Sequence, residues 1–375
     1  MTKHSTAPRA DPNPAYWDNY NNLQHVKHEV IRNYLNGWFP KLGSWHGRIV
    51  YFDTHAGRGR HTAGQYGSPL VALTTLLEHR YRDTLLANCE VRFQFCEEDE
   101  QNVASLQTEL TALGTLPRNV VVEVTCGNCF AQLDAILTAL SENNDTMAPA
   151  FIFVDPYGFK VPGQILKRLM TFKRVELFVN VIWRELNMAI SQVDERPGFR
   201  QTLDSIFDGS NWRDLIPLDT EARSRAALAL YRTMVNARWA TPLYMEAHNT
   251  TRYILLHLTD HDDGRDLMKD CIWKVCPDGG FHASATDRPL EEYIIQPEPD
   301  LRPLRQWILN QLARGPRPWA LLNEAVRPEI WRKTHVNDMV RELHQEGIVE
   351  GRDFAGRFAE KNNPTLYLTT GPPGV

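Results

Sequence analysis

Four short stretches carry residue types that could do chemistry together. The first is Asp53-Thr54-His55-Ala56-Gly57-Arg58-Gly59. Glycines after a strand let the backbone approach a ligand without a Cβ in the way. The full G-x-G-x-x-G of a pyrophosphate loop is missing, because position 62 is Thr. The acid ahead of the glycines, Asp53, suits a ligand with an ammonium group better than a pyrophosphate. The second stretch is Glu97-Glu98; an acid at this point of a Rossmann-like unit accepts hydrogen bonds from ribose hydroxyls. Glu97 directly follows the expected strand, and the choice between it and Glu98 stays open. The third is Asn128, a polar side chain that can meet an adenine edge or simply form a turn. The fourth is Val154-Asp155-Pro156-Tyr157-Gly158-Phe159. There Asp155 ends an apolar run, Pro156 stiffens the loop, and Tyr157 or Phe159 can stack on a planar base while Asp155 holds an exocyclic amine.

Regular elements must bring these stretches to one edge. Leu23, Val26, Val30, Ile31, Tyr34 and Leu35 recur at helical spacing and predict a helix over 23–42. Apolar strands are expected at 49–52, 91–96, 120–124, 151–154 and 175–182, with helices at 69–82, 103–113, 130–140 and near 164–170. Such alternation means a parallel sheet covered on both faces. Residues 198–238 read as mostly helical. Leu243–His248 and Tyr253–Thr259 read as a hairpin about Asn249–Arg252, and a helix follows over 265–275. Every candidate residue then falls at the carboxyl end of a strand, the edge where open α/β sheets bind ligands.

The chain has 375 residues, enough for two domains. Residues 1–15 are polar and Pro-rich and are expected to be a disordered tail; 16–285 form the α/β domain. Pro289, Pro297, Pro299 and Pro303 mark 286–303 as a linker. In 304–375, three helices (304–312, 318–326 and one N-capped by Thr334) and strands at 348–350 and 365–368 give a winged-helix order. From Leu301 onward there are 11 Lys/Arg against 8 Asp/Glu, while the whole chain carries −5. A slightly basic tail domain on an acidic body points toward phosphate. Arg332, Lys333 and Arg341 on or beside the third helix and Arg357 in the expected wing are the candidate nucleic-acid contacts. No apolar run is long enough to span a membrane, and no secretory signal is evident, so a cytoplasmic location is expected. Cys126 and Cys129 have C-x-x-C spacing, but Cys271 and Cys276 are separated by four residues. No metal site is expected, and buried reduced thiols are the plainer reading.

Taken together, the loop from Asp53 to Gly59, the acid after the second strand and Asp155-Pro156-Tyr157 resemble methyltransferases that act on amino groups of nucleic-acid bases. The chain looks more closely like the three-Cys-motif partner family. That resemblance rests on Lys27-His28-Glu29, Tyr51-Phe52-Asp53-Thr54-His55-Ala56-Gly57-Arg58-Gly59, Gly67-Ser68-Pro69 and Phe153-Val154-Asp155-Pro156-Tyr157-Gly158. It implies a Class I methyltransferase sheet, parallel with one antiparallel hairpin strand, and S-adenosylmethionine as cofactor. Asp53 would hold the methionine ammonium, Gly57 and Gly59 would admit the cofactor, Glu97 would hold the ribose, and Asn128 would stand near the adenine. His55 belongs to the same loop, with packing beneath it as its plainest role. Asp155, Pro156 and Tyr157 would position the target amine of an RNA or DNA base. Asp-Pro-Tyr-Gly lacks the second Pro usual in adenine enzymes and is closer to the Asp-Pro-Phe-Gly of enzymes that methylate a tRNA guanine, so the target base is open. The alternatives are a methyltransferase of another substrate, and a non-catalytic or partner-dependent protein working with a radical-SAM-like three-Cys-motif protein.

Overall fold

The computed structural model describes residues 18, 20–45, 47–278, 280–286 and 298–369. The tail 1–15 and most of the expected linker lie outside them. Backbone contacts divide the chain into two compact units. One runs to Cys271 and includes His282–Tyr293; the other joins Ile272–Phe281 to the residues from Ile294 onward. The end of the helix Asp262–Val275 thus groups with the second unit, where the sequence had suggested an undivided domain to residue 285.

The first unit is a mixed α/β structure built on one eight-stranded, mostly parallel sheet. Its strands are β1 Arg48–Asp53, β2 Glu90–Glu97, β3 Val120–Cys126, β4 Ala150–Val154, β5 Val175–Val181, β6 Trp239–Ala247, β7 Thr250–Thr259 and β8 His282–Ser284. They lie in the order β3-β2-β1-β4-β5-β7-β6-β8. β7 alone runs against its neighbours β5 and β6. The connections reverse direction between β1 and β4, which opens a crevice at their carboxyl ends.

Alternation within β5 explains both layers. Val175, Leu177, Val179 and Val181 join the apolar core shared with the helices Cys129–Glu142, Gly163–Leu169, Trp183–Ser191, Gly198–Ile206 and Thr220–Met234. The opposite face is aromatic. Phe178 stacks near Phe151 and Phe153 at 6.0 and 5.7 Å, and Tyr34 of the helix Asn22–Gly43 lies 5.1 Å from Phe151. That helix begins with a capping box between Asn21 and Gln24, which satisfies two otherwise orphaned backbone donors. Its Tyr34 hydroxyl and His257 Nε2 both bind Oε2 of the buried Glu176 carboxylate, which holds this acid within the sheet.

The hairpin is tighter than its sequence suggests. The strands run on to Ala247 and Thr250, and His248 and Asn249 make a two-residue turn with φ of 53° and 55°. Positive φ at both central positions gives the twist that antiparallel strands need. β8 adds an edge strand that was not expected from three residues of mixed polarity.

Arg223 fixes the helical segment beyond β5. Its guanidinium donates to the carbonyls of Leu215, Ile216 and Leu218 and to the side chains of Asn187 and Ser191. Arg223→Met removes every one of these bonds and strands three carbonyls. It is expected to cost about 3–5 kcal/mol, read as a lower midpoint of thermal unfolding of this unit.

In the second unit the helices Arg302–Ala313, Trp319–Ala325 and Lys333–Gln345 enclose Leu304, Ile308, Leu312, Trp319, Leu322, Val336, Val340 and Leu343. A three-stranded antiparallel sheet, β10 Val349–Arg352, β11 Thr365–Leu368 and β9 Arg317–Pro318, closes one side. The third helix is capped at Arg332 rather than Thr334. Trp319 Nε1 and Asn323 Nδ2 both donate to Asn337 Oδ1, which locks the second helix to the third. Among the described residues no helix is long and apolar enough to cross a membrane.

Candidate functional site

Asp155 is the first residue after β4, and both its oxygens are engaged. Lys27 Nζ, from the helix Asn22–Gly43, donates to Oδ2 at 2.5 Å, and Asn180 Nδ2, near the end of β5, donates to Oδ1 at 2.5 Å. Strands β4 and β5 are paired in parallel, which brings Asn180 beside Asp155. Lys27 is drawn in because its helix lies across the aromatic face of the sheet. The Lys27 and Asp155 side chains are 4% and 14% exposed, so this ion pair is far from a surface contact.

The pair forms part of the wall of a cavity of about 570 Å³, also lined by His55, Ala56, Ser68, Pro156, Tyr157 and Asn180. That volume accommodates a ligand of cofactor or drug size. Pro156 is buried, whereas Tyr157 is 46% exposed. Phe159, the other stacking candidate, packs instead edge-on against Phe199 at 6.4 Å. Of these two stacking candidates, Tyr157 is therefore the one presented at the cavity.

Asp53 ends β1 and is fully buried. Burial pushes its carboxyl up to about 7. The hydroxyl of Ser68 opposes this, the charge of Asp155 adds to it, and the backbone N–H of His55 and the charge of Lys27 pull it down. Asp53 stands behind Ser68 and His55, which do line the cavity. His55 accepts or donates through Nδ1 to Thr54 Oγ1 at 2.7 Å and sits edge-on to Phe130. Burial takes its imidazole down to about 4. A neutral ring packed below the loop is what the structure gives this residue.

The residues expected on the cofactor side are placed differently. Glu97 is buried, and its Oε2 accepts the Gly57 N–H at 2.8 Å while Oε1 accepts the Asp99 N–H at 2.9 Å. The Asn128 side chain caps the helix Cys129–Glu142 by accepting from the Ala131 N–H, so it serves the turn and not the cavity. Gly57 and Gly59 have φ of 63° and 89°, which explains glycine at both. A Cβ on Gly59 would stand 3.0 Å from Leu106 Cδ1, so its missing side chain admits the neighbouring helix. None of Asp53, Gly57, Gly59, Glu97 and Asn128 lines the 570 Å³ cavity.

Sequence reasoning gave no role at this site to Lys27 or Asn180. The available signal was polarity inside β5: Asn180 and Glu176 interrupt a strand that is otherwise apolar and wholly buried. Cys126 and Cys129 do not act as a pair. Cys126 Sγ lies 3.8 Å from Glu98 O, and Cys129 Sγ lies 3.7 Å from His55 Nε2. Burial pushes the Cys129 thiol up to about 12, so it is protonated and inert. Among the described residues no three His, Cys, Asp or Glu side chains gather as metal ligands would.

In the second unit, Arg332 donates to His335 Nε2 and Arg341 to Asp338 Oδ1. Lys333 opens the third helix, and Arg357 is exposed in the segment between β10 and β11.

An α/β sheet with a polar cavity at the carboxyl ends of its central strands is thus the class that fold and site define. No family model and no curated protein matches the sequence. Solved structures that resemble it distantly include the following two. Protein LPL1258 from Legionella pneumophila is 14% identical, with 64% of this chain and 85% of that chain covered and a TM-score of 0.31. The plantazolicin methyltransferase BpumL in complex with SAH is 10% identical, with 67% and 92% covered and a TM-score of 0.28. Neither likeness bears on what this chain binds.

Proposed function

We propose that the chain is an S-adenosylmethionine-dependent methyltransferase of the Class I kind, acting on an exocyclic amino group of a nucleic-acid base, and a member of the three-Cys-motif partner family. The observation that carries this reading is Asp155-Pro156-Tyr157 at the end of β4, facing a cavity beside the point where the sheet order reverses. When bound, S-adenosylmethionine supplies a methyl group already activated on a sulfonium. Its ammonium would reach the Asp53 carboxyl only once Ser68 and His55, which cover it, shift, with Gly57 shaping the loop. Asp155, Pro156 and Tyr157 would hold the target amine at the cavity in line with that methyl group. The protein contributes position more than chemistry. The second unit is read as a winged helix, on its three helices and antiparallel strands, with Arg332, Lys333, Arg341 and Arg357 toward phosphate.

One observation favours a second reading, in which a partner such as the three-Cys-motif protein completes the site. Glu97 is engaged by the chain's own backbone, so ribose binding needs the Gly57 loop to release it. Transfer of tritiated methyl from S-adenosylmethionine to tRNA, rRNA or DNA tests the first reading. Label is expected in one of the three with wild type and not with Asp155→Asn. Cofactor binding without label in any nucleic acid would move the substrate to another class, and no cofactor binding by the isolated chain would favour the second reading.

A further inference from the structure

Two arginines at the cavity have no task in the fold. Arg184 is the second residue of the helix Trp183–Ser191, and Arg252 lies in β7. β5 and β7 are antiparallel, with Val181 opposite Ile254. The chain leaving β5 and the chain entering β7 therefore share one end of the sheet, the end at which Asp155 and Asn180 also stand. Both arginines line the cavity. Among the described residues neither guanidinium has a hydrogen-bond or ion-pair partner. Arg223 shows the contrast, since its guanidinium holds the same helix through Asn187 and Ser191 and is wholly engaged.

Charge narrows what they can meet. The Lys, Arg, Asp and Glu residues of the wall are Lys27, Arg184 and Arg252 against Asp155 and Glu185. Asp155 is matched by Lys27. Glu185 pairs with neither arginine, and its Oε2 lies over Gly158, 3.6 Å from where a Cβ would stand. The cavity is thus short of one anion. A guanidinium is a planar fork of donors that fits two oxygens of a phosphate at once. Tyr157 lines the same cavity and is 46% exposed. Cationic side chains beside an aromatic ring hold a single-stranded nucleotide by its phosphate and by its base together. We propose that Arg184 and Arg252 clamp the phosphate of the nucleotide whose base stacks on Tyr157. The first unit then has a phosphate site of its own, separate from Arg332, Lys333, Arg341 and Arg357 of the second, and selects a nucleotide over a free nucleoside. This inference rests on the reading as a nucleic-acid methyltransferase and adds to it the group that anchors the substrate.

The test is calorimetric titration of adenosine, cytidine and guanosine 5′-monophosphates, their nucleosides and inorganic phosphate into the full chain, with and without S-adenosylhomocysteine. At least one monophosphate is expected to bind about tenfold or more tightly than both its nucleoside and inorganic phosphate. Arg184→Gln and Arg252→Gln are each expected to cut that preference to about threefold or less, while S-adenosylmethionine affinity stays as in wild type. Equal binding of nucleotide and nucleoside, an undiminished preference in both glutamine variants, inorganic phosphate bound as tightly as every nucleotide, or no binding of any of these probes overturns the proposal. Loss of S-adenosylmethionine affinity in the variants overturns it too, by assigning the arginines to the carboxylate of the cofactor. The wild-type comparisons stand even where a variant fails to fold. Absence of S-adenosylmethionine binding to wild type would instead bring down the methyltransferase reading itself, while the phosphate preference, read with no other ligand added, still decides the clamp.

Discussion

Asp155→Ala is expected to abolish methyl transfer, by about 100-fold or more, and to destabilise the first unit by about 3–5 kcal/mol. Both effects come from the same pair of bonds. Removing the carboxylate takes the charge of Asp155 from the buried Lys27 ammonium and from the Asn180 amide the acceptor that orients it. The stability loss belongs to the uncompensated burial of charge and not to the pair as such. The double variant Lys27→Met/Asp155→Leu should therefore recover most of the stability, because a well-packed apolar replacement of a buried ion pair is often neutral, yet remain inactive. Denaturant unfolding and tritiated-methyl transfer on the same three proteins separate the two effects. A double variant as unstable as Asp155→Ala would place the cost in packing.

The second large effect lies at Asp53. Its carboxyl stands at about 7 in the folded protein because burial penalises the charged form, against 3.8 for a solvated aspartate. Between those values the unfolded chain has lost its proton and the folded one keeps it. This group's contribution is therefore present below about pH 4 and is lost as pH rises to about 7, by up to about 4 kcal/mol. Asp53→Asn should flatten that slope and be more stable than wild type at pH 8 by more than at pH 5, checked by urea unfolding at the two pH values. The same proton enters ligand binding. An ammonium needs the carboxylate, so S-adenosylmethionine affinity should rise up to about tenfold per pH unit below pH 7, with proton release visible by calorimetry in buffers of different ionisation enthalpy. Asp53→Asn should bind weakly at every pH.

The main elements of the sheet were legible because burial imposes a pattern on sequence. Ala150–Val154 is five apolar residues buried on both faces, and only a central parallel strand asks for that. The helix Asn22–Gly43 announces itself by apolar spacing that matches the face it buries. β8 and β9, of three and two residues, have no pattern to show, and their pairing is decided by neighbours far along the chain. The site divides in the same way. Asp155 was visible as a polar stop to an apolar run. Glu97, Asn128 and Gly59 were correctly put at strand ends or loops, but their side chains or space are taken by nearby backbone and a neighbouring helix, and such local bonds leave no mark in residue type. Lys27 was seen only as a matching motif, since nothing within its helix reveals a partner just after β4.

The distance along the chain between the members of this site has its own meaning for synthesis. Lys27 and Asp155 are 128 residues apart, and Asn180 follows 25 residues later. A ribosome must release the chain beyond β5 before the three can meet, and closing contacts over such separations is slow. A product that ends before Asn180 lacks a member of this site, so the site forms only once β5 has been made.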